Sequence, residues 1–294
     1  MPVAVDARTR AVQDMGLGDH AFAHYADDDD RWEVLSAFTR SGLTNGDKVI
    51  ALADPAVEHE EVLERLSMWS PAVEKAYSKG QLEITSMRAL IHPDRRFTAQ
   101  RQIGRLWEES VRARQEGYAG LRSVIDMAWV EDLGMDVEGV MFRETHADAL
   151  FTDRSYAEIC TYDRRRFDPG VLEAMRVGHP MVLLERLGDL ATYHSVNGLH
   201  VIGDADTATA SRLDAALEDA LTRAATSGRL LLNLTRMCFL SVTCARALVH
   251  RVASAQDVRW VDVRCSPFQA RLLDAVGGGA LKNLVLPRSV GGSQ

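Results

Sequence analysis

The sequence predicts an α/β protein in two parts. The first is a layered N-terminal α/β domain with a mostly parallel sheet; the second is a small C-terminal α/β domain with a mixed sheet and helices. Three observations carry this expectation. From about residue 20 to 180, short β-rich runs alternate with helix-length amphipathic runs, the pattern of strand–helix–strand units. At 294 residues the chain is long enough for two separate cores. After a polar stretch at 186–198, a second structured part is organised around residues 230–250, LLLNLTRMCFLSVTCARALVH, which reads as a buried strand, a tight connection and a helix.

Residues 1–18 read as a polar lead-in and Arg288–Gln294 as a disordered tail. His20–Tyr25 is a short strand. The acidic run Asp27–Asp30 offers an N-cap and first-turn carboxylates that suit the helix dipole. The helix then begins near Arg31 and buries Trp32, Leu35 and Phe38. The run lacks the alternating ligands and glycine of a calcium loop, which favours a solvated helix start. Asn45-Gly46-Asp47 makes a turn into a strand over Lys48–Ala53. Helices follow around 56–68 and 71–79, ended by Gly80, then a strand at Leu82–Thr85. A long helix over Thr98–Glu116 carries Ile103, Leu106, Trp107 and Val111 on its apolar face and stops at Gly117. Leu121–Trp129 is a strand, 137–150 a helix, Tyr156–Tyr162 a strand and Pro169–Val177 a helix; 188–198 reads as a linker.

In the C-terminal part, Leu230–Leu234 is apolar nearly throughout, as in a strand covered on both faces, and Phe239-Leu240 plug the core. Ser241-Val242-Thr243 precede a helix from about Cys244 to Val252. A hydroxyl there caps the first free N–H groups, and a phosphate placed there meets those same groups.

The net charge of −8 argues against wholesale nucleic-acid binding. No apolar run approaches the roughly 20 residues that span a membrane, and no signal core is visible, so the expected location is the cytoplasm. The cysteines Cys160, Cys238, Cys244 and Cys265 have no metal-ligand spacing and read as buried free thiols. His20 and His24 share one face of a strand, too far apart for one zinc without further ligands, and HExxH and CxxC are absent. No metal or cofactor is expected.

Two groups invite a ligand. His20, Tyr25, Asp126, Trp129, Tyr162 and Arg166 lie at or near strand ends, where an apolar wall with a few polar anchors makes a small-molecule pocket; the same residues serve equally as core. Arg164–Arg166 suits a phosphate, but Asp163 and Asp168 flank it, which favours internal ion pairs. Gly42–Lys48 stands where a phosphate loop could, without its Gly-Lys-Ser/Thr ending. No Gly-x-Ser-x-Gly is present, and no enzymatic activity is expected.

Two resemblances add to this reading. Residues 18–187 resemble the MEDS domain of methanogen and methylotroph sensory proteins. They do so through Asp19–Tyr25, Asn45–Val49, Leu121-Arg122, Asp126–Trp129, Gly178-His179-Pro180 and above all Cys160-Thr161-Tyr162-Asp163-Arg164-Arg165-Arg166-Phe167. That resemblance implies a sensory role toward a small organic signal, on a fold distantly similar to RecA-type ATPase cores. Residues 199–287 resemble the STAS domain of anti-sigma-factor antagonists, through Leu199–Ala210, the 230–248 stretch and Val258–Leu286. The STAS switch loop reads Asp-Ser-Ser-Gly, with the second Ser as phosphoacceptor. Aligned on Phe239-Leu240, the four positions here are Ser241, Val242, Thr243 and Cys244, without the acidic residue and the glycine. The resemblance implies an anti-sigma factor of the serine/threonine kinase type as partner. Thr243, with Ser241 beside it, is then the switch, unless Thr243 is only a helix cap. The rival readings are a nucleotide-binding or enzymatic N-terminal domain with an accessory STAS module, and a homo-oligomeric signalling scaffold.

Overall fold

The computed structural model describes residues 5–91, 97–135, 137–196 and 198–287, so the tail expected to be disordered lies outside the described residues. The chain divides into two compact units, Val12–Leu187 and Gly188–Gln294 with Met1–Ala11.

A two-residue strand β1 (Thr9–Arg10) comes first. The larger unit then runs β2 (His20–Tyr25), α1 (Asp28–Asn45), β3 (Lys48–Leu52), α2 (His59–Ser67), α3 (Pro71–Ser78), β4 (Leu82–Thr85), α4 (Met87–Ile91) and α5 (Ala99–Gln115). It continues with β5 (Leu121–Asp126), α6 (Trp129–Asp132), α7 (Val137–His146), β6 (Tyr156–Asp163), α8 (Pro169–Gly178) and β7 (Met181–Leu183). Strands β7-β2-β6-β5-β3-β4 lie side by side in that order, all parallel. Parallel pairing brings every strand's C-terminal end to one edge, where Tyr25, Asp126 and Asp163 stand. Every residue of β2, β3, β5 and β6 is buried, as expected of a sheet covered on both faces.

The acidic run behaves as the sequence implies: the Asp27 carboxylate accepts N–H bonds from Asp29 (2.9 Å) and Asp30 (3.3 Å), and α1 starts at Asp28. Gly46, at φ 82°, closes α1 in the left-handed region that favours glycine. Thr98 caps α5, but its buried face is Ala99, Gln102, Leu106, Ser110 and Ala113. Trp107, expected inside, is exposed, because the helix turns the Gln102, Leu106, Ser110 and Ala113 stripe inward instead. The strand expected to reach Trp129 ends at Asp126, whose carboxylate takes the Ala128 N–H at 2.9 Å and bends the chain into α6.

The smaller unit holds β8 (Leu190–Ser195), β9 (Gly198–Ala205), α9 (Ala210–Ala224), β10 (Arg229–Leu240), α10 (Val242–Ser254), β11 (Trp260–Arg264), α11 (Pro267–Ala275) and β12 (Leu284–Val285). The sheet order is β12-β11-β10-β9-β8, with β8–β9 antiparallel and the other pairs parallel, the expected mixed sheet. The stretch read as a linker is instead strand β8, paired with β9. Short polar residues hid it, since an edge strand needs no continuous apolar run.

One core lies on one side of this sheet. Leu230, Leu232, Leu234, Met237 and Leu240 of β10 join Leu213 and Leu217 of α9 and Leu248 and Val252 of α10. β10 therefore alternates and is not covered on both faces: Leu231, Asn233 and Arg236 are half-buried, and Thr235, Cys238 and Phe239 are exposed. Phe239 does not plug the core. The register slips between Met237 and Phe239 and turns its ring outward, leaving Leu240 as the inward residue.

Candidate functional site

The period of two along β2 and β6 sorts the larger unit's chemistry onto opposite faces. Ala21, Ala23, Ala157 and Ile159 face the apolar core under α1. His20, Phe22 and His24 face the other way, in register with Glu158, Cys160 and Tyr162 of β6. Helix α7 adds Arg143 and Glu144 to this second face, and His179 arrives just after α8.

The result is a fully buried polar cluster. His20 Nε2 lies 3.1 Å from Glu144 Oε2, 3.3 Å from Glu158 Oε1 and 3.7 Å from Cys160 Sγ. His179 Nε2 lies 3.2 Å from Glu144 Oε2, and its Nδ1 donates to the Met175 carbonyl at 2.7 Å. Arg143 spans the two carboxylates, at 2.9 Å from Glu144 and 2.6 Å from Glu158. Tyr156 O–H donates to Glu158 at 2.5 Å. Phe151 stacks on the His20 ring at 4.7 Å and Phe22 closes another side. Each of these polar side chains is under 3% exposed, so the cluster is a charged island in an apolar wall.

Charge pairing decides the protonation here. Burial pulls the His20 pKa down, but hydrogen bonds to Glu144 and Glu158 outweigh it and hold it above the ordinary histidine range. Burial drives His179 the other way, to about 4, so it is neutral at physiological pH. Burial opposes ionisation of Glu144 and Glu158, yet the Arg143 guanidinium keeps both carboxyls below the usual range. Burial pushes the Cys160 thiol well up.

The second polar group lies at the strands' C-terminal edge. Arg31 is buried, ion-paired with Asp126 and set over the rings of Tyr25 (4.8 Å) and Trp32 (4.6 Å). Burial raises the Asp126 pKa, and the Arg31 charge opposes that rise. Trp129 is buried beside Phe97, with ring centroids 4.6 Å apart.

The predicted ligand residues thus divide. His20 belongs to the buried cluster, and Tyr162 stands beside it against Phe22 and His179. Tyr25, at the opposite end of β2 from His20, joins Asp126 at the carboxyl edge, with Trp129 and Arg166 on the segments that follow. Arg166 binds Asp54 at 2.7 Å and Glu131 at 2.8 Å; Arg165 binds Asp163 and Asp28, and Arg164 binds Glu185. The three arginines are thus engaged in internal ion pairs.

Gly42–Lys48 does not stand where a phosphate loop does. Gly42 is inside α1, and Lys48 opens β3 with its ammonium buried between Glu83 (2.8 Å) and Glu116 (2.6 Å). The segment lies at the sheet edge opposite the strand ends that lead into helix N-termini. At the strand end after β2, the helix start is already held by the Asp27 carboxylate.

Sequence reasoning missed Arg143, Glu144, Glu158 and His179, and set no site at Cys160. A usable signal existed: β6 reads Tyr-x-Glu-x-Cys-x-Tyr, and a carboxylate in a central, fully buried strand requires a buried partner.

Comparison with known proteins decides the family of this unit. Residues 19–180 match the family model described as MEDS, the methanogen/methylotroph, DcmR sensory domain. The chain belongs to the MEDS family. MEDS domains are sensory modules without catalysis, in agreement with the non-enzymatic expectation. The matched span holds the whole buried cluster, from His20 at its start to His179 at its end. Among solved structures, the chain is similar to the flagellar accessory protein FlaH from Methanocaldococcus jannaschii. The identity is 12% and the TM-score 0.41, over 64% of this chain and 80% of that one. None of the curated protein sequences compared with the chain matches it. Among the described residues, no helix is long and apolar enough to cross a membrane.

Proposed function

We propose that the chain is a signalling regulator in which the MEDS domain reads a small organic ligand and the C-terminal unit acts as a STAS-like docking module. Its partner is an anti-sigma factor of the serine/threonine kinase type, and Thr243 is the switch. One observation carries the reading. Around the start of α10, and of α11 on the same sheet edge, the C-terminal unit exposes Phe239, Val242 and Phe268, each more than half accessible, and Thr243, next to Val242, is exposed as well. Large apolar side chains gathered at one edge suit a protein partner. Thr243 is also free of the capping duty: Ser241 is the N-cap and accepts the Cys244 N–H at 3.2 Å. A phosphate on Thr243 adds about two negative charges to this edge and opposes docking by desolvation and repulsion. Ligand binding changes this output only by preferring one of two states of the protein.

The test is direct binding of the full chain to a purified kinase-type anti-sigma factor, by calorimetry. Wild type and Thr243→Ala bind alike, while Thr243→Glu and Phe239→Ser lose at least about tenfold in affinity. Equal binding by all four, or none by wild type, overturns the reading. The same exposed residues also suit self-association, and a light-scattering mass of twice the chain or more that falls with Phe239→Ser marks a scaffold instead.

A further inference from the structure

We propose that His20, Glu144, Cys160 and His179 form a metal centre of the larger unit that takes one divalent cation of the zinc class. The four residues come from β2, α7, β6 and the segment after α8, and each contributes one ligand atom to a group lying within 4.8 Å of one another. This inference is independent of the partner-docking reading, because metal content is measured without any partner.

Geometry is the first support. Zinc bonds of about 2.0–2.1 Å to nitrogen or oxygen and about 2.3 Å to sulfur, at tetrahedral angles, put neighbouring ligand atoms about 3.4 Å (N–O) and about 3.6 Å (N–S or O–S) apart. The observed edges are 3.1 Å for His20 Nε2–Glu144 Oε2 and 3.2 Å for His179 Nε2–Glu144 Oε2. The edges to sulfur are 3.7 Å from His20 Nε2 and 3.9 Å from Glu144 Oε1. These four lie within a few tenths of an ångström of a tetrahedron's edges, though the Glu144–sulfur edge is to the other Glu144 oxygen. The whole set spreads to within 4.8 Å, so closing on an ion means drawing the ligand atoms together by up to about 1 Å.

The orientation of His179 is the second support. Its Nδ1 gives its proton to the Met175 carbonyl, which in the neutral ring leaves the Nε2 lone pair aimed at Glu144 Oε2. A backbone carbonyl fixing the far nitrogen is also how metal-bound histidines are commonly oriented.

Charge is the third. With both histidines neutral and Cys160 as a thiolate, Glu144, Glu158 and Cys160 carry three negative charges and Arg143 one positive. A divalent cation that displaces one proton from His20 and one from Cys160 keeps this buried group neutral, as Arg143 and a charged His20 keep it neutral against the two carboxylates without the ion. Cys160 Sγ donates to Glu158 Oε1 at 3.0 Å, a proton that metal binding has to displace; Arg143 Nη1, 3.6 Å from Sγ, then supports the thiolate, and Glu158 keeps its bond to Arg143. The donor set of two imidazoles, one thiolate and one carboxylate suits zinc and its borderline neighbours rather than calcium or magnesium. Four protein ligands close the coordination shell, as in structural zinc sites.

The test uses the full chain with Cys238→Ala, Cys244→Ala and Cys265→Ala, so that Cys160 is the one remaining thiol of the four. The chain is stripped with a chelator, then titrated with Co²⁺ and, separately, Zn²⁺. One equivalent of Co²⁺ is expected to give the intense visible bands of a four-coordinate site together with a thiolate-to-cobalt charge-transfer band. Zn²⁺ should displace it and raise the unfolding temperature. His179→Gln and Glu144→Gln should lower the affinity by more than the 10–100-fold that loss of a supporting hydrogen bond typically costs. Failure to retain close to one equivalent, a cobalt spectrum without the thiolate band, or unchanged affinity in both folded variants overturns the proposal and leaves the cluster an ion-pair network. Because the cobalt spectrum is read with all four ligands intact, the test still decides if a ligand variant does not fold.

Discussion

Replacing Arg31 by Met tests whether the carboxyl edge is held by charge pairing inside a dry wall. Arg31 and Asp126 are 7% and 3% exposed, and the guanidinium also covers the rings of Tyr25 and Trp32. Met keeps most of the stem and removes the charge. Asp126 then keeps the Ala128 N–H but loses its buried cation, and breaking a buried pair from one side costs about 3–5 kcal/mol. The loss depends on pH. Burial already raises the Asp126 pKa, so folding favours the proton on Asp126 more than the unfolded chain does. Stability from such a group is present below the unfolded pKa and lost as pH rises through the folded one. Without Arg31 the folded pKa rises further, so the Arg31→Met deficit is large at pH 7 and shrinks on acidification. Asp126→Asn should rescue in the same direction, making the double variant more stable than Arg31→Met alone. The assay is denaturant unfolding followed by tryptophan fluorescence, which reports mainly on the larger unit because Trp32, Trp69, Trp107 and Trp129 lie in it. A coupling energy below about 0.5 kcal/mol in the double-mutant cycle at pH 7, the additivity expected of independent sites, refutes this account.

Other outcomes follow from the same structure. Ser241→Ala should cost about 1 kcal/mol by removing the α10 cap, whereas Thr243→Ala should stay within about 0.5 kcal/mol, as measured by thermal unfolding. His24 is buried, which lowers its pKa to about 4, with the Arg164 charge helping. A histidine depressed in the folded state loses stability as pH falls below its unfolded value of 6.5, so wild type should weaken between pH 6.5 and 4 by up to roughly 3 kcal/mol. His24→Gln should flatten that part of the pH–stability curve, and an unchanged curve counts against the assignment. Lys48→Met leaves Glu83 and Glu116 without their shared ammonium. Glu83 retains Arg112 and both acids reach solvent, so the loss should be about 1–2 kcal/mol by denaturant titration.

Much of the architecture was legible in the residues. Alternating strand and helix patterns and the caps at Asp27 and Thr98 are local signals, and they marked most elements of the larger unit to within a few residues. The Tyr-Asp-Arg-Arg-Arg-Phe element and its neighbours carried the family, and the alternation of charges around Arg164–Arg166 pointed to ion pairs. Which face an element buries was less legible. The outward turn of Phe239 depends on a register slip against β9, and the exposure of Trp107 depends on how α5 meets the sheet; neither is a property of a short window. The buried cluster lay furthest from reach. His20, Arg143, Glu144, Glu158, Cys160 and His179 are scattered over some 160 positions, with His20 and Cys160 separated by 140. Local spacing weighed His20 only against His24, which shares its strand and not its site. Parallel pairing of β2 with β6, and the packing of α7 and the end of α8 on one face, bring the six together. Sequence by itself determined the layered α/β order and the sensory family, because periodicity and capping act over a few residues. Only the tertiary structure decided which distant polar groups share one dry pocket, because burial and Coulomb energy depend on separation in space.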